Sequence, residues 1–326
     1  MGSFHKQRVA DKTGRKALGF WSEPVKHRVL PAVGRPLSAS RVTFVLTSEN
    51  NPRPSVNTTV SGGGRSFAAQ AVADVISGLR SWQLWTTLGW NEILQRYRRS
   101  LLGPFWLTAS VAIMVVTLGF LYAQLFKTPI DEFLPFLCVG LLVWTFISSF
   151  LLEGGVLFTG SESYIKQVKL PYSIYVFSST WSKLIIFAHN LVIYFGIIIF
   201  FGISPGLTGL LALPGLLLVT INGALLTLLI GMVSARFRDI PQLIASTVQI
   251  VFFITPIMWK PELLQHRTYI ATLNPVFHLI ELVRAPLLGN TPSLQSYGAV
   301  LALTLFNIAV VSVFFTRFRA RIAYWV

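Results

Sequence analysis

The chain has 326 residues, 53% of them hydrophobic and only 12% charged, with a formal net charge of +15 at neutral pH. So few charges cannot cover the surface of a soluble protein of this size, which excludes an ordinary soluble enzyme and leaves an integral membrane protein. Residues 1–103 carry 15 Lys/Arg against 5 Asp/Glu, so most of the excess charge precedes the first long apolar run. These cations are scattered singly among Pro, Ser and Gly rather than packed into a run, which argues against a nucleic-acid-binding arm and for a solvated tail. The lone cysteine, Cys138, lies inside an apolar segment, so neither an intrachain disulfide nor a Cys-based metal site is expected.

Residues 1–75, with "PAVGRPLSAS", "ENNPRPS" and "SGGGR", are expected to form a disordered, basic cytoplasmic tail. The tail lacks the continuous apolar region of a secretory signal. Residues 76–103 follow as an amphipathic interface helix. Between Leu79 and Arg99, Trp82, Trp85, Trp90, Ile93 and Tyr97 fall on one side, with Arg80, Asn91 and Arg98 opposite. Trp on one face and Arg on the other suits a helix lying in the plane of a membrane surface. "RYRRSLLGPFW" then sets Arg96, Arg98 and Arg99 against the start of the first span, the arrangement expected where a chain enters a membrane from the cytoplasm.

The transmembrane domain is expected over 104–326, all α, with six spans of about 20 mainly apolar residues each. The segments are 104–126, 133–152, 173–200, 207–233, 240–258 and 297–316. Cations flanking one set of ends are Arg96, Arg98, Arg99, Lys166, Lys169, Lys183, Arg236, Arg238, Arg317, Arg319 and Arg321. The other set has only Lys127, Lys260, Arg267 and Arg284, which predicts that both termini are cytoplasmic. Before the last span, "NPVFHLIELVRAPLLG" is too short to cross; Asn274 and Pro275 form a good helix start, and a short external re-entrant helix is expected.

No GxxxxGK[ST] loop is present, so ATP is not bound in that way, and no HExxH, CxxC or GxSxG occurs. His278 and Glu281 make only an H-x-x-E pair, for which a hydrogen-bonding or ion-pair role with Arg284 is the plainer reading. His189 is the one ionisable side chain expected inside a span, and a packed neutral histidine accounts for it. With no midplane charge pathway, the energy for transport is expected from another subunit. Polar stripes mark two spans: Gln242, Ser246, Gln249 and Phe253 in the fifth, and Thr117, Phe120 and Gln124 in the first. They either join helices or face water. Trp144 falls mid-span, where its indole N–H needs a partner.

"RYRRSLLGPFW", "QVKLPYSIYV", "SARFRDIPQLIASTVQIVFFITPIMW" and "NPVFHLIELVRAPLLG", in this order, resemble the permease subunit of the ABC-2 type polysaccharide exporters, which move O-antigen and related lipid-linked glycans across the bacterial inner membrane. The resemblance covers residues 80–326. It implies a homodimer with two separate ABC ATPase subunits, no cofactor in this chain, and ATP and Mg on the partner subunit. It implies that the interface helix lies at an entry gate, where Arg96, Tyr97, Arg98, Arg99 and Trp82 would meet the substrate headgroup, or the arginines would serve only as positive-inside anchors. Tyr164, Lys166, Lys169 and Pro171, in the loop "SESYIKQVKLP", would couple to the ATPase. Thr117, Phe120, Gln124, Trp144, Gln242, Ser246, Gln249 and Phe253 would line the channel, and His278, Glu281 and Arg284 would belong to an external gate. Two other readings share parts of this pattern: an ABC-2 permease for a drug or small amphiphile, and a membrane-embedded glycan-assembly enzyme, although the latter lacks a DxD-like pair.

Overall fold

The computed structural model describes residues 66–98, 105–261 and 268–326. Every described element belongs to one compact unit. All regular structure among the described residues is helical: α1 (Phe67–Arg80), α2 (Trp82–Tyr97), α3 (Phe105–Phe126), α4 (Ile130–Val156), α5 (Glu162–Gln167), α6 (Ser173–Phe201), α7 (Ala212–Arg236), α8 (Ile240–Ile254), α9 (Tyr269–Thr272), α10 (Pro275–Leu287), α11 (Leu294–Phe318) and α12 (Ile322–Trp325). Among the described residues five helices are long and apolar enough to cross a membrane: α3, α4, α6, α7 and α11. The expected fifth span is the exception. Its helix, α8, has 15 residues, about 22 Å at 1.5 Å per residue, because the chain turns at Thr255 and Pro256 rather than running on to 258.

The centre of the bundle is α4. Along it Leu137, Cys138, Leu141, Val143 and Phe150 are closed off from solvent, while α3, α6, α7, α8 and α10 pack around it. Burial on all sides explains why α4 reads as continuously apolar rather than amphipathic. A second core lies at one end of the bundle, where Leu157 and Phe158 meet Tyr175 and Val176 of α6, Met232 of α7, Phe315 of α11 and Ile322 of α12. Between α7 and α11 a buried polar chain replaces apolar contact. Asn222 Nδ2 donates to Thr304 Oγ1 at 2.7 Å, and Asn307 Nδ2 donates to Asn222 Oδ1 at 2.8 Å. In a span this satisfies side chains that lipid would leave unpaired.

The interface segment is two helices rather than one. α1 begins at Phe67, inside the stretch assigned to the tail, because Ser66 Oγ caps it by accepting the Ala69 N–H at 3.2 Å. It ends at Ser81, whose hydroxyl donates to the Ser77 carbonyl at 2.9 Å. α2 then lies along α6, and Gly89 sets the distance: a Cβ there would sit 2.6 Å from the Ser178 carbonyl oxygen. Gly215 does the same for α7 against α10, where a Cβ would run into the Leu282 carbonyl oxygen. α10 starts as its sequence predicts. Asn274 Oδ1 accepts the Val276 N–H at 2.9 Å, and its amide also donates to Thr255 Oγ1 at 2.9 Å, tying the end of α8 to the start of α10.

Candidate functional site, the junction of the interface helix with the bundle

Where α2 crosses the bundle, charged groups from three elements converge. Arg96 at the end of α2 pairs with Glu92 one turn earlier at 3.2 Å and lies 3.8 Å from Glu153 of α4. Glu153 is also 3.8 Å from Lys183 of α6, whose Nζ donates to Ser179 Oγ at 2.8 Å. Ser182 Oγ donates to Glu92 Oε2 at 3.1 Å and closes the ring. Lys183 is 4% exposed, so it is not the surface anchor that its place among the flanking cations suggests. Ten residues into a 29-residue helix, it is placed inside by α2 lying over it. Glu92 is partly buried, its side chain 32% exposed. Burial, and then the facing Glu153, push its carboxyl above the ordinary carboxylate range, against the opposing pull of Lys183, Ser182 and Arg96.

The ring borders a cavity of about 330 Å³ with a mixed lining. Arg96, Glu153, Lys183 and Ser182 line it together with the apolar Val111, Leu142, Phe146, Ile186 and Phe187. Such a lining can hold a polar headgroup against greasy walls, and its two cations and one carboxylate are separated by distances that exceed hydrogen-bond contact. Of the other residues expected at this gate, Arg98 is exposed, Tyr97 is half-buried and Trp82 is 59% exposed, while Arg99 lies outside the described residues. The expected tryptophan face divides. Trp85 packs edge-on against Trp181 at 6.0 Å and near Phe177 at 6.2 Å, whereas Trp82 and Trp90 stay exposed.

The residues expected to line a channel fall into two sets. Thr117, Phe120 and Gln124 on α3, and Gln242, Ser246, Gln249 and Phe253 on α8, are all exposed. Trp144 instead is buried in α4 and packs on Phe252 of α8 at 5.6 Å between ring centroids, inside the wall rather than on its surface. His189 is exposed on α6, not packed. Its Nδ1–H donates to the Ile185 carbonyl at 2.8 Å, and this local bond satisfies the ring without a partner helix.

At the end of the bundle that holds the second core, α5 projects Tyr164 and Lys166 outward. Lys166 pairs with Glu162 at 2.6 Å, a contact that holds the Glu162 carboxyl below its ordinary range. Lys169 is exposed, and Pro171 stops the loop just before α6. A groove of about 820 Å³ runs beside them, lined by Lys166, Lys169, Pro171, Tyr172, Asp74 and Arg319 among others. Asp74 is the bolt of this region. Fully buried, it accepts the N–H groups of Tyr172 and Ser173 at 3.1 and 3.0 Å and Nε–H of Arg319 at 2.7 Å, fastening α1 to the start of α6 and to the end of α11.

At the far end, the three residues expected to form an external gate do not act as one unit. His278 Nε2–H donates to the Thr272 carbonyl at 2.7 Å and its Nδ1 accepts from Ser296 Oγ at 2.9 Å. Glu281 turns instead to Arg284, which binds one of its oxygens through Nε and Nη2 at 3.1 and 2.7 Å. Arg284 is buried, donates to the Pro256 carbonyl at 2.9 Å and lies 4.0 Å over the Phe136 ring. This guanidinium joins α10, α4 and the turn after α8 through an ion pair, a hydrogen bond and a cation–π contact.

Glu92, Glu153 and Asp74 are residues that pattern reading did not single out, and Lys183 entered it only as a flanking cation. A helical wheel through α4 and α6 places Glu153 and Lys183 at span ends, but nothing local says that α2 covers them.

Comparison with known proteins accords with this layout. Two O-antigen export system permease proteins RfbA of Klebsiella pneumoniae are 22% and 21% identical to the chain over 239 residues, covering 72% of it and 91% of each relative. The RfbA permease of Myxococcus xanthus is 24% identical over 194 residues, 58% of this chain and 74% of its own length. The profile of the ABC-2 type transporter family matches residues 83–288, from the start of α2 to the end of α10. This is a multi-pass membrane protein, and it belongs to the ABC-2 type transporter family.

Proposed function

We propose that this chain is the transmembrane subunit of an ATP-driven exporter that moves a lipid-linked polysaccharide, of the O-antigen type, across the bacterial inner membrane. The observation that carries the reading is the match to O-antigen export permeases over 91% of their length, alongside the family match that runs from the interface helix to the short helices before α11. In this reading both termini are cytoplasmic. Two copies work together with two ABC ATPase subunits, which hold the ATP and Mg; this chain hydrolyses nothing.

The mechanism follows from where the groups lie. The ATPase would press on α5 through Tyr164, Lys166 and Lys169, and Pro171 stiffens the step into α6. Because Asp74 bolts α1 and the end of α11 to the first residues of α6, a push on that end moves all three as a body. α2 lies on the same α6 and is held at its far end by the Glu92, Arg96, Glu153 and Lys183 ring. A phosphate-bearing headgroup reaching Arg96, Arg98 and Arg99 would compete with Glu153 for Arg96, loosening α2 as substrate arrives. Trp82 and Tyr97 seat the helix at the surface. The exposed faces of α3 and α8 would meet their counterparts from a second copy. There Thr117, Gln124, Gln242, Ser246 and Gln249 would exchange hydrogen bonds with sugar hydroxyls, while Phe120 and Phe253 offer ring faces to sugars.

The test is genetic and chemical together. Deleting the gene in its host should remove the envelope polysaccharide from the cell surface and leave lipid-linked glycan on the inner leaflet. A full surface coat in the deletion strain would refute the assignment.

A further inference from the structure

A second cavity, of about 470 Å³, opens between the C-terminal ends of α7 and α11 and shares no lining residue with the α2 junction or with the groove beside α5. Its walls are Met232, Phe237, Phe318 and Trp325, and two arginines from different helices, Arg236 and Arg321, also line it. Arg236 lies 5.9 Å from the Phe237 ring centroid and Arg321 5.8 Å from that of Phe318. Among the described residues neither arginine enters an ion pair. The nearby Arg319 already has its carboxylate in Asp74. Two positive charges therefore face a mainly apolar hollow with no counter-charge supplied by the protein.

Depth points the same way. α11 has 25 residues, about 37 Å at 1.5 Å per residue, against a hydrocarbon thickness of about 30 Å, so its last turn reaches the headgroup layer. α7 is equally long and ends at Arg236. Helix C-termini favour the cations themselves, so an anion at this place is held by guanidinium groups and not by backbone amides. Rings beneath Arg236 and Arg321 fix the planar forks, which match the oxygens of a phosphate. Trp and Phe supply the surface that a glycerol backbone and first methylenes need.

We propose that this cavity is a binding site for an anionic phospholipid of the bilayer, its phosphate between Arg236 and Arg321 and its acyl stem along Phe237, Phe318 and Trp325. The site is independent of what the exporter carries.

Native mass spectrometry on the purified full-length chain, titrated with phosphatidylglycerol or phosphatidylcholine of matched acyl chains, reads the affinity directly. Phosphatidylglycerol should bind at least tenfold more tightly than phosphatidylcholine. Arg236→Gln with Arg321→Gln should abolish that preference, and Arg80→Gln with Arg238→Gln, which removes the same charge outside the cavity, should keep it. Thermal unfolding without added lipid confirms that both double variants are folded, and single Arg236→Gln serves if the pair is not. Equal affinity for the two lipids, an unchanged preference in the Arg236/Arg321 variant, or an equal loss in the Arg80/Arg238 variant would each overturn the site. Displacement of phosphatidylglycerol by millimolar inorganic phosphate would assign the arginines to free phosphate and overturn the lipid.

Discussion

Replacing Asp74 by Ala should cost about 3 kcal/mol of stability, near the lower end of what is lost when one partner of a buried ion pair is removed. Three donors would lose their acceptor at once: the N–H groups of Tyr172 and Ser173 and the guanidinium of Arg319. A hydrogen bond to a charged group contributes about 1.5–3 kcal/mol. The three cannot simply be summed, because they share one carboxylate and because the Arg319 side chain is 27% exposed and can turn to water. Asp74→Asn keeps one carbonyl oxygen but aims an amide N–H at a donor, so about 2 kcal/mol is expected. Equilibrium unfolding in mixed micelles gives these differences, and a double-mutant cycle with Arg319→Ala isolates the pair, with a coupling of about 1–2 kcal/mol expected. A loss below about 1 kcal/mol for Asp74→Ala would refute the view that this carboxylate fastens α1, α6 and the end of α11.

At Gly89, Ala would press its Cβ to 2.6 Å from the Ser178 carbonyl. The clash should cost about 1–3 kcal/mol, only partly offset by helix propensity, and speed amide exchange along α2 while α7 is unchanged; unaltered exchange would count against close docking. Glu92, whose folded carboxyl is raised above its unfolded value, stabilises docking most at low pH, and this contribution is lost as pH rises through the raised value. Fluorescence of Trp85 and Trp181 should report α2 loosening over that window, and Glu92→Gln should flatten the profile; a wild-type profile in the variant would exclude Glu92 as the titrating group. A photocrosslinker at position 166 on α5 should capture the ATPase subunit and respond to nucleotide, and a complete absence of adducts in an active complex would remove α5 from the coupling path.

What the sequence made legible followed from local rules. Long apolar runs gave α3, α4, α6, α7 and α11, and the Asn274–Pro275 start gave α10. The polar repeats on α3 and α8 are visible because their spacing keeps one face in register, and both faces are exposed. Trp144 was not placeable, since nothing in its own segment reveals that Phe252 closes over it. The same is true of Lys183, counted as a flanking cation but buried beneath α2, and of the split of the interface segment at Ser81. Asp74 and Arg319 are 245 positions apart, and no periodicity in a sequence joins them.

In the proposed function, ATP hydrolysis by a partner drives a lipid-linked polysaccharide through this chain. Inverted inner-membrane vesicles carrying the permease and its ATPase subunit, supplied with lipid-linked glycan and ATP, measure it most directly. Glycan should become protected in the vesicle lumen only when both subunits and hydrolysable ATP are present. Protection without the ATPase, or luminal uptake of small amphiphiles with no movement of the glycan, would contradict it.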